Sequence, residues 1–185
     1  ISTSQTTNIP KSVTQMLQRV TLDAYGLMFS ARNTDYIQAI KSSCIDNGNS
    51  TAFGHGSRFT MQDAALINGT AIHGEDFDDT FEGTPVHVSS VIVPTILAVA
   101  ERENFSPDTF MKSMAFGAEL ICRLALVAPT AVHRQGFHPT AILGAFGASL
   151  TASVAYGLSP QQTASALGIV GSMASGIIEY LAEGT

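Results

Sequence analysis

The stretch His73–His87, HGEDFDDTFEGTPVH, sets Glu75, Asp76, Asp78, Asp79 and Glu82 within eight positions and a histidine at each end, in a chain with only 15 acidic residues. Three readings suit it. A hard divalent cation could take Asp76, Asp79 and a histidine, but none of the spacings is a recognised ligand motif, and magnesium and calcium sites draw more oxygens from a defined loop. No metal is therefore expected. An acid/base site would need a carboxylate or imidazole whose pKa is moved toward neutrality by burial or a neighbour. The third reading is a solvated helix end without chemistry. If the preceding helix persisted to Thr80, His73, Asp76 and Thr80 would share one face by i+3 and i+4 spacing, with Asp79 beside them and Asp78 turned away. His138, in GFHPT, is a further candidate. The proline after it biases it to extended backbone just ahead of a helix N-terminus, where an imidazole can meet an anionic substrate. A lone loop histidine is otherwise simply exposed.

The elements that must hold these residues read as helices. Apolar residues from Val13 to Met28 recur every three or four positions after Pro10, and a shorter helix around Tyr36–Cys44 ends at the turn-forming DNGNS. Thr60 with Asp63 resembles a capping box opening MQDAALINGTAIH, so the acidic stretch lies at that helix's C-terminal end. Val88–Glu101 is helical in spacing, with Pro94 expected to kink it or mark its true start. Ser106-Pro107 opens a helix to about Ala128, and Ser159-Pro160 with Gln162 opens another to about Leu181. Between them RQGFHPT leads into a helix from Thr140 to Tyr156, stopped by Gly157. No segment of useful length alternates as a strand would. Gly144, Gly147, Gly168, Gly171 and Gly176 each cost about 1 kcal/mol against alanine inside a helix, which points to helices crossing closely or to room for a small ligand.

The 185 residues suffice for one domain or most of a larger one, and a net charge of -6 argues against a nucleic-acid partner. Cys44 and Cys122 form no CxxC and read as buried thiols in a reducing compartment. ISTSQTTNIPKS shows no basic run followed by an apolar one, so no signal peptide is visible. From Gln135 to Ile178 there is no Asp, Glu, Lys or Arg. Two membrane spans would fit that length, but small residues dominate and no cationic flank follows. A buried helical hairpin, and no membrane partner, is the expectation.

NGTAIHGEDFDDTFEGTPVHVSSVIVPTILAVAE, GAELICRLALVAP and GFHPTAILGAFGASLTASVAYGLSPQQTASALGI closely resemble the MmgE/PrpD family, from about Ile9 to the last residue. Its members include 2-methylcitrate dehydratase, cis-aconitate decarboxylase and iminodisuccinate epimerase. The resemblance implies an all-α helical domain, one unit over residues 1–185, with a smaller lid domain inserted in the full-length protein and the active site between the two. It also implies no metal or organic cofactor, and usually a cytoplasmic homodimer. The family's functional aspartate and threonine fall on Asp76 and Thr80, and its histidines on His87 and His138. His73, Asp79 and Arg134 are the further substrate-binding candidates, Arg134 because a polycarboxylate needs cations. The loop between Thr80 and His87 is one residue longer than in the decarboxylase branch. The family's lysine-bearing segment would follow Thr185, so this chain is expected to be part of an enzyme and inactive by itself. The expected activity is that of a hydro-lyase of the 2-methylcitrate dehydratase type. The alternatives are an epimerase of an amino- or imino-dicarboxylate, a cis-aconitate-type decarboxylase and a non-catalytic helical binding module.

Overall fold

The computed structural model describes residues 8–179. Among them the chain is all-α apart from one small hairpin. Its helices are α1 (Lys11–Ala31), α2 (Asp35–Ser43), α3 (Met61–His73), α4 (Ser89–Glu103), α5 (Pro107–Val127), α6 (Ala131–Arg134), α7 (Pro139–Ala155) and α8 (Pro160–Met173). The sequence shows no strand, yet β1 (Ser50–Thr51) and β2 (Arg58–Phe59) pair antiparallel, Ser50 opposite Phe59. Two-residue strands are too short to alternate visibly.

Side-chain caps open the helices where the sequence places them. Thr60 accepts from the Asp63 amide, Ser106 from that of Thr109, and Ser159 with Gln162 forms the full reciprocal box. At Thr60 the box is only half made, because the Asp63 carboxylate accepts from the Thr60 hydroxyl at 2.8 Å. The core runs through α1–α5, with Met28, Ile37, Ile67, Ile72, Ile92, Ile96, Met114 and Ile121 fully buried. At about 1.5–3 kcal/mol for each fully buried large apolar side chain, this cluster supplies much of the drive that packs the helices.

α4 begins at Ser89 and carries Pro94 inside it. The proline removes the amide that would bond the Ser90 carbonyl. α3 packs where that carbonyl is freed: a Cβ on Gly69 would stand 3.2 Å from Ser90 O and 3.5 Å from Pro94 Cγ.

α5 and α7 form the most extensive helix pair. A Cβ on Gly117 would come within 1.9 Å of Thr151 Oγ1, and one on Gly147 within 2.3 Å of Ile121 Cδ1. A Cβ on Gly144 would come within 2.7 Å of Val91 Cγ2 on α4. The crossing reading therefore holds for Gly144 and Gly147. Gly168 faces open space, and Gly171 only touches the Phe146 ring.

The charge-free segment is a helical hairpin, but only its first arm is buried. α7 is lined with buried positions, whereas α8 rests on α7 and buries Thr163 alone. No described helix is long and apolar enough to cross a membrane. α8 also ends at Met173, short of Leu181, which lies outside the described residues, as does the N-terminal stretch 1–7. Beyond it Gly176 takes φ +135 and the chain turns back, with Phe137 and Ile177 bridged. Both cysteines are free thiols that remain partly exposed, which corrects their reading as buried.

Candidate active site

α3 stops at His73, its last residue, and Gly74 follows as cap with its amide on Thr70 O. Gly74 fits because its Cα lies against the Tyr36 ring, where a Cβ would come within 2.6 Å. Asp76 then adopts φ 56, the left-handed region that aspartate tolerates better than most side chains. The helix does not persist to Thr80, and the face predicted from helical spacing is not built. The reversal turns Asp78 inward.

Asp78 is the centre of the arrangement. Its side chain is 0% exposed, while that of Asp76 is 74% exposed. His73 Nδ1 lies 3.1 and 3.2 Å from its two carboxylate oxygens. His87 Nδ1 lies 3.0 Å from Oδ1, an ion-pair distance without the alignment of a good hydrogen bond. On the outer side His87 Nε2 stands 3.5 Å from Asp76 Oδ1. The rings are in mutual contact: His73 and His87 have centroids 4.6 Å apart, and His73 stacks on His138 at 5.3 Å and 13°.

Backbone contacts hold this group in register. The Ser89 amide, at the start of α4, donates to Asp79 Oδ1 at 2.8 Å, so Asp79 serves as an anionic anchor at a helix N-terminus. The His87 amide donates to Thr140 Oγ1 at 3.0 Å, tying the entry of α4 to the first turn of α7. His138 is the N-cap residue of α7, and its amide donates to Gly176 O at 3.0 Å. Ile178 N returns a bond to Gly136 O, so the segment after α8 braces the loop that carries His138.

The electrostatics follow from these contacts. Burial alone would raise the Asp78 carboxyl, but His73 and His87 outweigh it and hold the group far below the ordinary carboxylate range. Contact with Asp78 raises His87 above the usual imidazole value against the effect of burial, helped by the charges of Asp78, Asp76 and Asp79. Burial, with the charges of His73 and His87, lowers His138 to about 4. Two imidazoles of one cluster are thus driven in opposite directions. Between these two displaced values the arrangement can hold one neutral imidazole and one charged imidazole together.

His73 and His138 line an open cleft of about 510 Å³ between α3 and α7, with Thr70, Ser90 and Thr140 its other polar groups and a wall of small and apolar side chains. The sequence candidates divide accordingly. His73, His87, His138 and Asp76 come together, and Asp79 holds the frame. Thr80 is exposed on the loop, and Arg134 is exposed at the end of α6. Sequence reasoning missed Asp78, which it turned away, and His133. The latter has a buried Nδ1 without a hydrogen-bond partner among the described residues, and its charge helps to lower His138. A signal was present: only five histidines occur in the chain, and two of them, His133 and His138, stand five residues apart on either side of Arg134 where the charge-free stretch begins.

A borderline cation such as zinc would find one donor atom each from His73, Asp76, Asp78 and His87, all within 4.8 Å of one another. Those donors already satisfy one another as ion pairs, and we read the cluster as an acid/base group.

The profile of the MmgE/PrpD N-terminal domain matches residues 1–185. A cis-aconitate decarboxylase-like protein of Aspergillus oryzae is 26% identical over 96% of this chain and 39% of its own length. Cis-aconitate decarboxylase of Homo sapiens is 33% identical over 85% of this chain and 34% of its own, and that of Mus musculus 29% over 91% and 36%. The chain therefore spans well under half the length of these relatives.

Proposed function

We propose, from the premise that this chain belongs to the MmgE/PrpD family, that the whole protein is a cofactor-independent lyase acting on a small di- or tricarboxylic acid by acid/base elimination. The observation that carries this reading is the opposite displacement of His87 and His138 within one cluster of touching rings. Dehydration of a 2-methylcitrate-type acid needs both states at once. Neutral His138 takes the proton from the carbon beside a carboxylate. The C–H electron pair becomes the second bond of an alkene, the C–O bond breaks, and the hydroxyl leaves as water with a proton from His87. Cationic His87 also attracts the substrate's carboxylates. We assign Thr80 and Arg134, both exposed, as further substrate contacts in this reading. On the family's pattern the whole protein is a cytoplasmic homodimer, and the present chain alone does not turn over.

A second reading comes from the relatives, which carry the name cis-aconitate decarboxylase. There His87 would protonate an alkene carbon while the electron pair of the breaking C–CO2 bond re-forms the double bond. That reaction uses the acid and leaves the neutral base idle, and for this reason we place dehydration first.

The test is turnover of the full-length protein with 2-methylcitrate, citrate and cis-aconitate, reading alkene absorbance against released carbon dioxide. Alkene without gas supports the hydro-lyase, gas from cis-aconitate supports the decarboxylase, and turnover of none of them refutes both. His138→Gln should lower kcat/KM by roughly a hundredfold or more, the usual scale for a general acid/base group. The pH profile of kcat/KM should rise near pH 4 as His138 becomes neutral and fall above the usual imidazole range as His87 loses its proton.

A further inference from the structure

We propose that Asp78 is the positioning residue of this site: one buried carboxylate grips the Nδ1 edges of His73 and His87 and so presents their Nε2 edges for chemistry. This rests on the acid/base reading above and goes beyond it, since it concerns how the rings are held.

Asp78 is the one fully buried carboxylate of the acidic stretch, and its contacts are the two imidazoles at 3.0–3.2 Å. A buried carboxylate left unpaired is expensive, so each ring that turned away would leave a charge without its partner. The hydrogen bond that one ring nitrogen makes decides which tautomer the other displays. With His73 Nδ1 bonded to Asp78 and His87 Nδ1 held at ion-pair distance from the same carboxylate, Nε2 of His87 faces the exposed carboxylate of Asp76, 3.5 Å away, and Nε2 of His73 points away from Asp78. The constraint extends to a third ring, because His73 lies flat against His138. Asp78 thus governs three imidazoles while touching two. The loop is shaped for this: α3 ends at Gly74 and Asp76 reverses the chain, which alone allows a residue five positions after His73 to bond back to it.

The test is Asp78→Asn in the full-length enzyme. The amide keeps size and shape but cannot accept from both rings as an anion does. We expect kcat to fall about 10- to 100-fold with little change in KM, the scale seen when a partner that orients a histidine is removed. The alkaline limb of the pH profile should move to lower pH, since His87 loses the carboxylate that keeps it charged. The acid limb, set by His138, should stay. In a His87→Gln background the further loss from Asp78→Asn should be much smaller than in the wild type, because both changes act through one ring. An unmoved alkaline limb with equal losses in both backgrounds would show Asp78 to be structural only and overturn the proposal. If the variant does not fold, the imidazole ¹⁵N resonances of the wild-type protein decide: neutral His73 and His87 should carry the proton on Nδ1, and Nε2–H forms would overturn it. That measurement needs no turnover, so an enzyme inactive on every polycarboxylate would sink the reaction while leaving the positioning role to be judged separately.

Discussion

The crossing of α5 on α7 and the loop between α3 and α4 solve the same problem, bringing distant residues into contact, by opposite means. At the crossing, Gly117 and Gly147 remove side chains so that backbones approach, and tolerance is set by steric fit alone. In the loop, one carboxylate and two imidazoles are drawn together by charge, and the backbone bends to left-handed φ at Asp76 to let them meet. α7 takes part in both, with His138 and Thr140 at its start and Gly147 and Thr151 along its length. The first region is held by fit that pH barely touches, whereas the second is held by charges that pH controls.

That contrast can be broken at several points. The largest effect is expected from Gly117→Val, whose branched side chain would meet Thr151 and the Gly147 carbonyl. Overpacking of this kind costs about 1–3 kcal/mol, read as a lower thermal midpoint. The acid and alkaline limbs of whatever activity survives should not move; if they do, the two regions are coupled through α7.

Next comes the pH dependence of stability. Because the folded-state value of His87 is raised, its pairing with Asp78 stabilises fully below the unfolded value of about 6.5 and is lost as pH rises through the folded value. His138 has the opposite sign: lowered to about 4, it favours the folded state more as pH rises from there toward 6.5. Thermal midpoints of the wild type should decline on the alkaline side, and His87→Gln should remove that decline while leaving the acidic rise. A midpoint of the variant that still declined in the same range would assign the effect to another group.

A smaller loss, about 1 kcal/mol, is expected for Asp79→Ala, which leaves the Ser89 amide at the head of α4 without its anionic partner. Since the same bond fixes the loop, kcat should fall with it; a change in stability alone would confine Asp79 to capping. The smallest effect has the other sign. Gly168 lies inside α8 with open space around it, so Gly168→Ala should gain up to about 1 kcal/mol from helix propensity. A loss instead would show that the exposed face of α8 is covered in the whole protein.

The same contrast explains what the sequence disclosed. The capping serines, the prolines at first helical positions and the glycines at 144 and 147 were legible because each acts through its neighbours in one helix or through size alone. Asp78 was not, because its direction depends on where α3 stops. Extending the 3.6-residue period beyond Gly74 turns it outward, and only the left-handed turn at Asp76 turns it in. The end of α8 was hidden for a related reason. Nothing local stops a helix at Met173; the pairing of Phe137 with Ile177 draws the chain away. The family motifs located His87 and His138, and the fold added Asp78, the carboxylate against His73 and His87 that they do not name.

The brace between Gly136–His138 and Gly176–Ile178 also sets an order of events. During synthesis α3 and the acidic loop leave the ribosome long before residue 178 exists, and His138 follows with its amide still lacking the Gly176 carbonyl. Closing that contact requires α7 and α8 to form and fold back as a hairpin. His138 therefore reaches its place in the fold only when the stretch without charges has been completed, after the helices that build the core have been made.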